Sequence, residues 1–319
     1  MSNSWFKKLG PLAGLVFVIA LFGSLRPHTF LTADNCQIML LQTAVVGIAA
    51  LGMTLIIASG GIDLSIGSNI ALCTVAVALA LKGGASPAVA ALCGIAVGAA
   101  GGALIGLLIT RLHLPPFIVT LGMWGALRGA AKGLAGETTV LAPATWLNDL
   151  LRSLGPGDRW MLLPPGVWLL LALTLFVAAL LRYTRFGRHI FAIGSNEQTA
   201  RLCGVPVRRT KLLIYTVGLA MAGLAGVLQF SYLTMGDPTT AAGMELTIIA
   251  AVVIGGASLQ GGEGSACGAV IGALIMTAVA NGCTKLNLAN WVQEIVTGAI
   301  IIAAVLLDRL RHRDRPYPA

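Results

Sequence analysis

The sequence predicts an all-α protein: a polytopic bundle of about ten transmembrane helices, some of them broken by glycine. Three observations carry this. Only 10% of the 319 residues are charged and 57% are hydrophobic, whereas roughly 25% are charged in an ordinary soluble domain. A soluble fold of this composition has too few polar residues to cover its surface. The apolar residues also come in runs of the length a helix needs to cross a hydrocarbon core. Finally, no hydrophilic stretch is long enough to form a second domain, so residues 1–319 read as one membrane-spanning unit.

In order, the runs are Leu9–Leu25, Cys36–Ser59, Leu64–Leu81, Pro87–Ile109, Pro116–Leu134, Leu162–Leu181, Leu212–Leu233, Met244–Leu259, Ala266–Cys283 and Ala289–Leu307. The first follows Lys7 and Lys8 as a signal peptide would, but no A-x-A cleavage pattern follows it, so it reads as a retained helix. The eighth is short and interrupted at Gly255-Gly256. Loop charge orients the set. With the N-terminus inside, Lys7, Lys8, Arg111, the loop from Arg182 to Lys211 and the tail from Arg309 to Arg315 are cytoplasmic. Fourteen of the 21 Lys and Arg then lie inside, as the positive-inside bias requires. Both termini are expected in the cytoplasm, and the mixed segment Ala135–Met161 outside.

Composition also excludes functions. The net charge of +9 is scattered through short loops, without the continuous basic stripe that nucleic acid needs. The six cysteines show no CxxC or Cys/His spacing, so neither a zinc site nor a disulfide lattice is expected. Those inside apolar runs read as small buried hydrophobes. No Lys follows a Gly anywhere, so a GxxxxGK[ST] phosphate loop is absent and this chain does not itself hydrolyse ATP. No His/Asp/Glu or Ser/His constellation marks an enzyme. No mid-membrane charge relay marks a proton-coupled carrier.

Three stretches carry function. In the loop 182–211, Ser195-Asn196-Glu197-Gln198 reads as a helix start, with Ser195 and Gln198 forming a capping box. Glu197 suits the first-turn dipole, Gly204 fits a C-terminal cap and Pro206 forbids continuation. So short a helix is unstable alone. It either docks on a partner or lies on anionic lipid, held by the loop's basic residues.

The second stretch is Gly60-Gly61-Ile62-Asp63-Leu64-Ser65-Ile66-Gly67-Ser68. Asp63 either caps the third span or faces a solute path, because a lipid-facing Asp at mid-depth costs roughly 2.5–3.5 kcal/mol. Gly255-Gly256-x-x-Leu259-x-x-Gly262 echoes the Gly60-Gly61-x-x-Leu64-x-x-Gly67 spacing, and paired glycine-broken segments point to a transport site.

Third, glycines recur every four residues at 94, 98, 102 and 106 and again at 125, 129 and 133, a spacing that lets helices approach closely. Uncharged polar residues within spans are candidates for lining a path for a hydroxyl-rich solute. They include Gln42, Thr43, Thr54, Asn69, Thr120, Trp124, Thr277, Asn281 and Gln293, with Glu294 beside them. The residues singled out for the path are Asp63, Ser65, Asn69, Thr120, Trp124 and Asn281.

At GGIDLSIGS (60–68), GRHIFAIGSNEQTARLCGV (187–205) and ELTIIAAVVIGGASLQGGEGS (245–265), the chain resembles the permease subunits of bacterial ATP-binding-cassette monosaccharide importers. The branch is the ribose, xylose and galactose one, and the similarity runs over residues 35 to 308. The resemblance implies an inner-membrane protein that pairs with a second permease subunit, identical or homologous. It implies a cytoplasmic ATPase that binds the ATP, a periplasmic sugar-binding protein, and no cofactor in this chain. It assigns Ser195, Asn196, Glu197, Ala200 and Gly204 to a coupling helix seated in the ATPase. Related branched-chain amino acid permeases share the architecture but match these motifs less well. An amino acid or other small polar solute is therefore the alternative cargo, and an ion-coupled carrier the alternative class.

Overall fold

A computed structural model describes residues 3–311; Arg313 and Arg315 of the basic tail lie outside them. Among the described residues the chain is almost wholly helical: α1 Asn3–Leu25, α2 Pro27–Phe30, α3 Ala33–Ala58, α4 Ile66–Lys82, α5 Pro87–Arg111, α6 Pro116–Ala135, α7 Pro165–Tyr183, α8 Arg185–Ser195, α9 Glu197–Leu202, α10 Val207–Leu233, α11 Met244–Ile254, α12 Ala266–Lys285 and α13 Asn290–Arg311. Helices α3, α5, α7, α10 and α12 are long and apolar enough to cross a membrane. A multi-pass all-α bundle is what the composition demanded. In lipid a helix satisfies its own backbone, and an open strand edge does not.

Proline and small polar residues set the boundaries. Pro87, Pro116 and Pro165 sit in the first turns of α5, α6 and α7, where a missing N–H costs nothing. Thr32, Ser86 and Ser265 cap α3, α5 and α12 through their hydroxyls. Helix α11 stops at Gly255, as the glycine pair in the eighth run foretold.

Helix α3 is the axis of the bundle. From Thr43 to Ala58 it is buried on every side, the signature of a helix apolar all round. Helices α10, α12, α11 and α7 surround it. The tightest pairing is α5 against α10, and glycine makes it possible. A Cβ at Gly98 would stand 2.5 Å from the Leu219 carbonyl oxygen, and one at Gly102 would strike the Tyr215 carbonyl. The second glycine series behaves differently. Around Gly125, Gly129 and Gly133 of α6 there is open space within the chain. The same four-residue spacing is thus a packing seam on one helix and an uncovered face on the other.

The bundle has two ends. At one lie the turn after α3, the start of α6, the loops around α8 and α9, and the end of α13. Gly262 N–H donates to the Ala58 carbonyl at 2.9 Å, Arg208 to His113 Nε2 at 3.2 Å, and Ser258 Oγ to Asp308 at 3.4 Å. At the far end, Asn35 and Asn281 exchange side-chain amide bonds at 2.9 and 3.0 Å. There too a two-residue ribbon pairs β1, Val140–Leu141, antiparallel with β2, Met235–Gly236, an element outside the all-α expectation. It ties down the segment Ala135–Met161, whose Leu151 N–H also donates to Ser231 Oγ at 2.9 Å. Cysteines were expected to be buried in the apolar runs. Cys73 and Cys283 are, Cys93 is half-buried and Cys267 is exposed, as is Cys36 at the start of its run.

Candidate functional site

The short helix foreseen in the loop 182–211 exists, but it starts one residue later. Ser195 ends α8, and Asn196 caps α9 by accepting the Thr199 N–H at 2.8 Å. The capping box expected of Ser195 and Gln198 is not formed. Amphipathic α8 runs on through Ser195, burying Ile190 and Ile193, and leaves the extended cap conformation to Asn196. The other end matches expectation. Gly204 takes φ +83°, Gly204 N–H reaches the Arg201 carbonyl at 3.1 Å and Val205 N–H the Ala200 carbonyl at 3.0 Å. This is the Schellman pattern.

Three anchors make so short a helix rigid. Ala200 packs with Ile193 and Val207 in a small apolar cluster. Glu197 accepts from Arg201 at 3.1 Å within α9. It also accepts from Lys211 at 2.5 Å, which ties α9 to α10. Burial disfavours the Glu197 carboxylate, but the Lys211 bond and the charges of Lys211 and Arg201 outweigh it and hold the carboxyl below its ordinary range. Leu202, at the tip, is 88% exposed, more than any other large hydrophobic among the described residues. Sequence reasoning passed over it. The signal was an apolar residue in the most charged loop of the chain.

Directly behind α9 the glycine-broken turns meet. A Cβ on Gly261 would lie 2.7 Å from the Gly194 carbonyl oxygen and 2.9 Å from the Gly60 Cα, and Gly261 has φ +85°. The two echoing stretches are therefore in contact, through Gly60 and Gly261, at the root of the protruding loop. Asp63 stands just beyond, fully buried. Its Oδ1 accepts both the N–H of Ser65 at 2.8 Å and its hydroxyl at 2.6 Å. Asp63 does not cap α4 itself; Ser65 is the N-cap residue, and no side chain bonds the first turn. Asp63 Oδ2, Ser68 Oγ, Asn69 Oδ1 and Tyr215 Oη are buried around this turn without hydrogen-bond partners among the described residues.

From here a polar stripe climbs one face of α6 at four-residue intervals. Thr120 Oγ1 donates to the Ile62 carbonyl at 3.3 Å. Trp124 Nε1 donates to Glu245 Oε1 at 3.2 Å. Arg128 Nη1 donates to the carbonyls of Pro238 and Thr240 at 2.9 and 2.6 Å. Glu245 is buried in the first turn of α11 and lies against Gly67 of α4, where any Cβ would strike its Oε2. Glu245 and Arg128 were not among the sequence candidates. Arg128 lies inside the fifth apolar run, Pro116–Leu134, and the four-residue step from Thr120 through Trp124 was the clue to it.

On the other side of the segment 237–243 lies an open cavity of about 860 Å³. Gln42, Gln229, Tyr232, Thr277, Gln293 and Glu294 line it. Four of these belong to the polar span residues noted in the sequence. Gln229 Nε2 donates to Thr240 Oγ1 at 2.9 Å, so one segment is held from the cavity side by Gln229 and from the α6 side by Arg128. Of the six residues singled out for a path, Asp63, Ser65, Asn69, Thr120 and Trp124 come together along α4 and α6. Asn281 is apart, closed in its amide pair with Asn35. Among the described residues, no group of three His, Cys, Asp or Glu side chains is arranged to hold a metal ion.

Comparison with known proteins places these features in a family. Residues 35–305 match the family described as branched-chain amino acid transport system / permease component. Ribose import permease protein RbsC of Escherichia coli K12 is 38% identical over 308 residues, covering 96% of this chain and 95% of its own. Its namesake in Bacillus subtilis strain 168 is 38% identical over 303 residues, covering 95% and 93%. The L-arabinose ABC transporter permease protein AraH of Azospirillum brasilense is 33% identical over 306 residues, covering 95% and 89%. No solved structure matches the chain significantly. A multi-pass helical bundle, matched over most of its length, makes this chain a transporter component rather than an enzyme, and it belongs to the permease family of the branched-chain amino acid transport system type.

Proposed function

We propose that this chain is the membrane subunit of an importer that moves a monosaccharide across the bacterial inner membrane, driven by ATP hydrolysis in a separate cytoplasmic subunit. The observation that carries the reading is α9: a capped, ion-paired knob tied to α10 and presenting the exposed Leu202. Such a knob is suited to seat in a partner and move α10. The names of the relatives, for ribose and L-arabinose, support a sugar as cargo.

In this reading residues 1–319 form a single domain of ten spans with both termini in the cytoplasm. The grouping of the α3–α4 turn, the α8–α9 loop and the end of α13 at one end of the bundle supports an even count. Ser195, Asn196, Glu197, Ala200 and Gly204 build the coupling element. Asp63, Ser65, Asn69, Thr120 and Trp124 line the solute tract, whereas Asn281, closed on Asn35, is not part of it. The partners are a second permease subunit, identical or a close homologue, the ATPase that binds ATP, and a periplasmic sugar-binding protein. Lipid surrounds the bundle. The chain holds no cofactor of its own.

The test is accumulation of labelled D-ribose by cells that carry this chain with its ATPase and binding protein. Sugar uptake is expected only when all three are present. Uptake of L-leucine instead of any sugar would shift the cargo to the alternative that the family description names. Uptake that survives inactivation of the ATPase would overturn the ATP-driven class.

A further inference from the structure

We infer that Arg128 and Glu245 recognise the hydroxyl groups of the passing solute, with Trp124 as the wall of the same subsite. The inference rests on the sugar-import reading above and names the residues that would read the cargo. Within a membrane bundle, burying charged groups is expensive unless they are paired or functional. Glu245 is only 8% exposed. Its Oε1 takes the Trp124 indole N–H, but its Oε2 is buried without a hydrogen-bond partner among the described residues. Arg128 shows the mirror image. Its Nη1 is fixed on two backbone carbonyls, while its Nη2 is buried without a hydrogen-bond partner among the described residues. The two groups sit one turn apart on the α6 stripe, Glu245 on Trp124 and Arg128 four residues further on.

The site thus presents one oriented acceptor and one oriented donor of opposite charge, both unspent. A sugar hydroxyl both donates and accepts. Its O–H can donate a hydrogen bond to Glu245 Oε2 while its oxygen accepts one from Arg128 Nη2, or a vicinal diol can divide the two roles. Charge-assisted bonds of this kind are the strong ones. Trp124, held by its bond to Glu245, is 42% exposed and leaves an apolar ring face beside the pair. Both free atoms are enclosed within the bundle, with Glu245 Oε2 against Gly67 of α4, so the solute would meet them where α4, α6 and α11 part during transport.

The test is transport by the complete complex in proteoliposomes, comparing D-ribose with 2-deoxy-D-ribose for the wild type, Glu245→Gln and Arg128→Lys. Both variants are expected to assemble, and their ATP hydrolysis to remain responsive to ribose-loaded binding protein. D-ribose uptake should fall roughly tenfold or more, the worth of one charged hydrogen bond. The ratio of ribose to deoxyribose transport should drop at least about threefold, because the binding protein's own preference is unchanged between variants. An unchanged ratio, with both sugars slowed equally or not at all, would overturn the inference, as would failure of the charge variants to assemble. In that case the pair serves only to hold the segment 237–243. If the wild-type complex moves neither sugar, the import reading fails first.

Discussion

Glu197 and Lys211 join the protruding helix to the bundle: the Lys211 ammonium meets Glu197 Oε2 at 2.5 Å, linking the first turn of α9 to the second turn of α10. Lys211 is 18% exposed and Glu197 38%. The pair is therefore partly screened and contributes about 0.5–1 kcal/mol to holding the loop. Its larger consequence is mechanical, because a push on α9 reaches α10 through it. Lys211→Met is expected to leave insertion intact and to weaken the coupling between ATP hydrolysis and uptake severalfold. Equal losses of uptake and of protein in the membrane would assign Lys211 to folding instead.

The same pair has a pH signature. The Glu197 carboxyl is depressed in the folded protein, burial being outweighed by Lys211 and Arg201. A depressed carboxylate contributes stability that is present above its unfolded value and lost as pH falls through the folded one. Coupling is therefore expected to be flat with respect to this bridge between about pH 6 and 8. Glu197→Gln should lower it by the same factor across that window. A loss that grows steadily between pH 8 and 6 would show that Glu197 is not held as described.

The cap assignment separates two neighbours. Asn196→Ala removes the side chain that accepts the Thr199 N–H and should cost about 1 kcal/mol, speeding amide exchange in α9 roughly fivefold. Ser195→Ala should change that exchange little, since no cap bond runs from Ser195. The reverse ranking would restore the capping box that the sequence pattern predicts.

The two glycine series give opposite expectations for one substitution. Gly102→Ala puts a methyl into the Tyr215 carbonyl, and such overpacking costs typically 1–3 kcal/mol. The expected result is a lower melting temperature in detergent and poor membrane yield. Gly129→Ala meets open space and should keep wild-type yield and melting temperature. Equal effects at the two positions would contradict the α5–α10 seam.

The sequence-level reading reached the bundle because its cause is compositional: apolar runs of spanning length, with loop charges between them. It reached α9 because a cap residue, a glycine at φ +83° and a proline are local signals. It misplaced the cap by one residue because Ser195 and Asn196 are both good cap residues, and only the packing of Ile190 and Ile193 decides where α8 ends. The Glu197–Lys211 bridge and the Trp124–Glu245 bond were not legible. Each joins positions on different helices, and only tertiary packing brings them together. The difference between Gly102 and Gly129 was hidden for the same reason: a spacing does not say whether a neighbour is present.

The central claim is that α9 transmits the work of ATP hydrolysis, and Leu202 tests it most directly. It is the exposed apolar tip of a helix otherwise held by its own chain. In the reconstituted complex, ATP hydrolysis is measured with and without sugar-loaded binding protein for the wild type and Leu202→Glu. Because Leu202 makes no packing contribution to the bundle, the variant should insert normally. Placing a charge at the seat of α9 should then abolish both the stimulation of hydrolysis and D-ribose uptake. Wild-type stimulation and uptake with Leu202→Glu would show that α9 does not engage the ATPase, and the coupling account would fall.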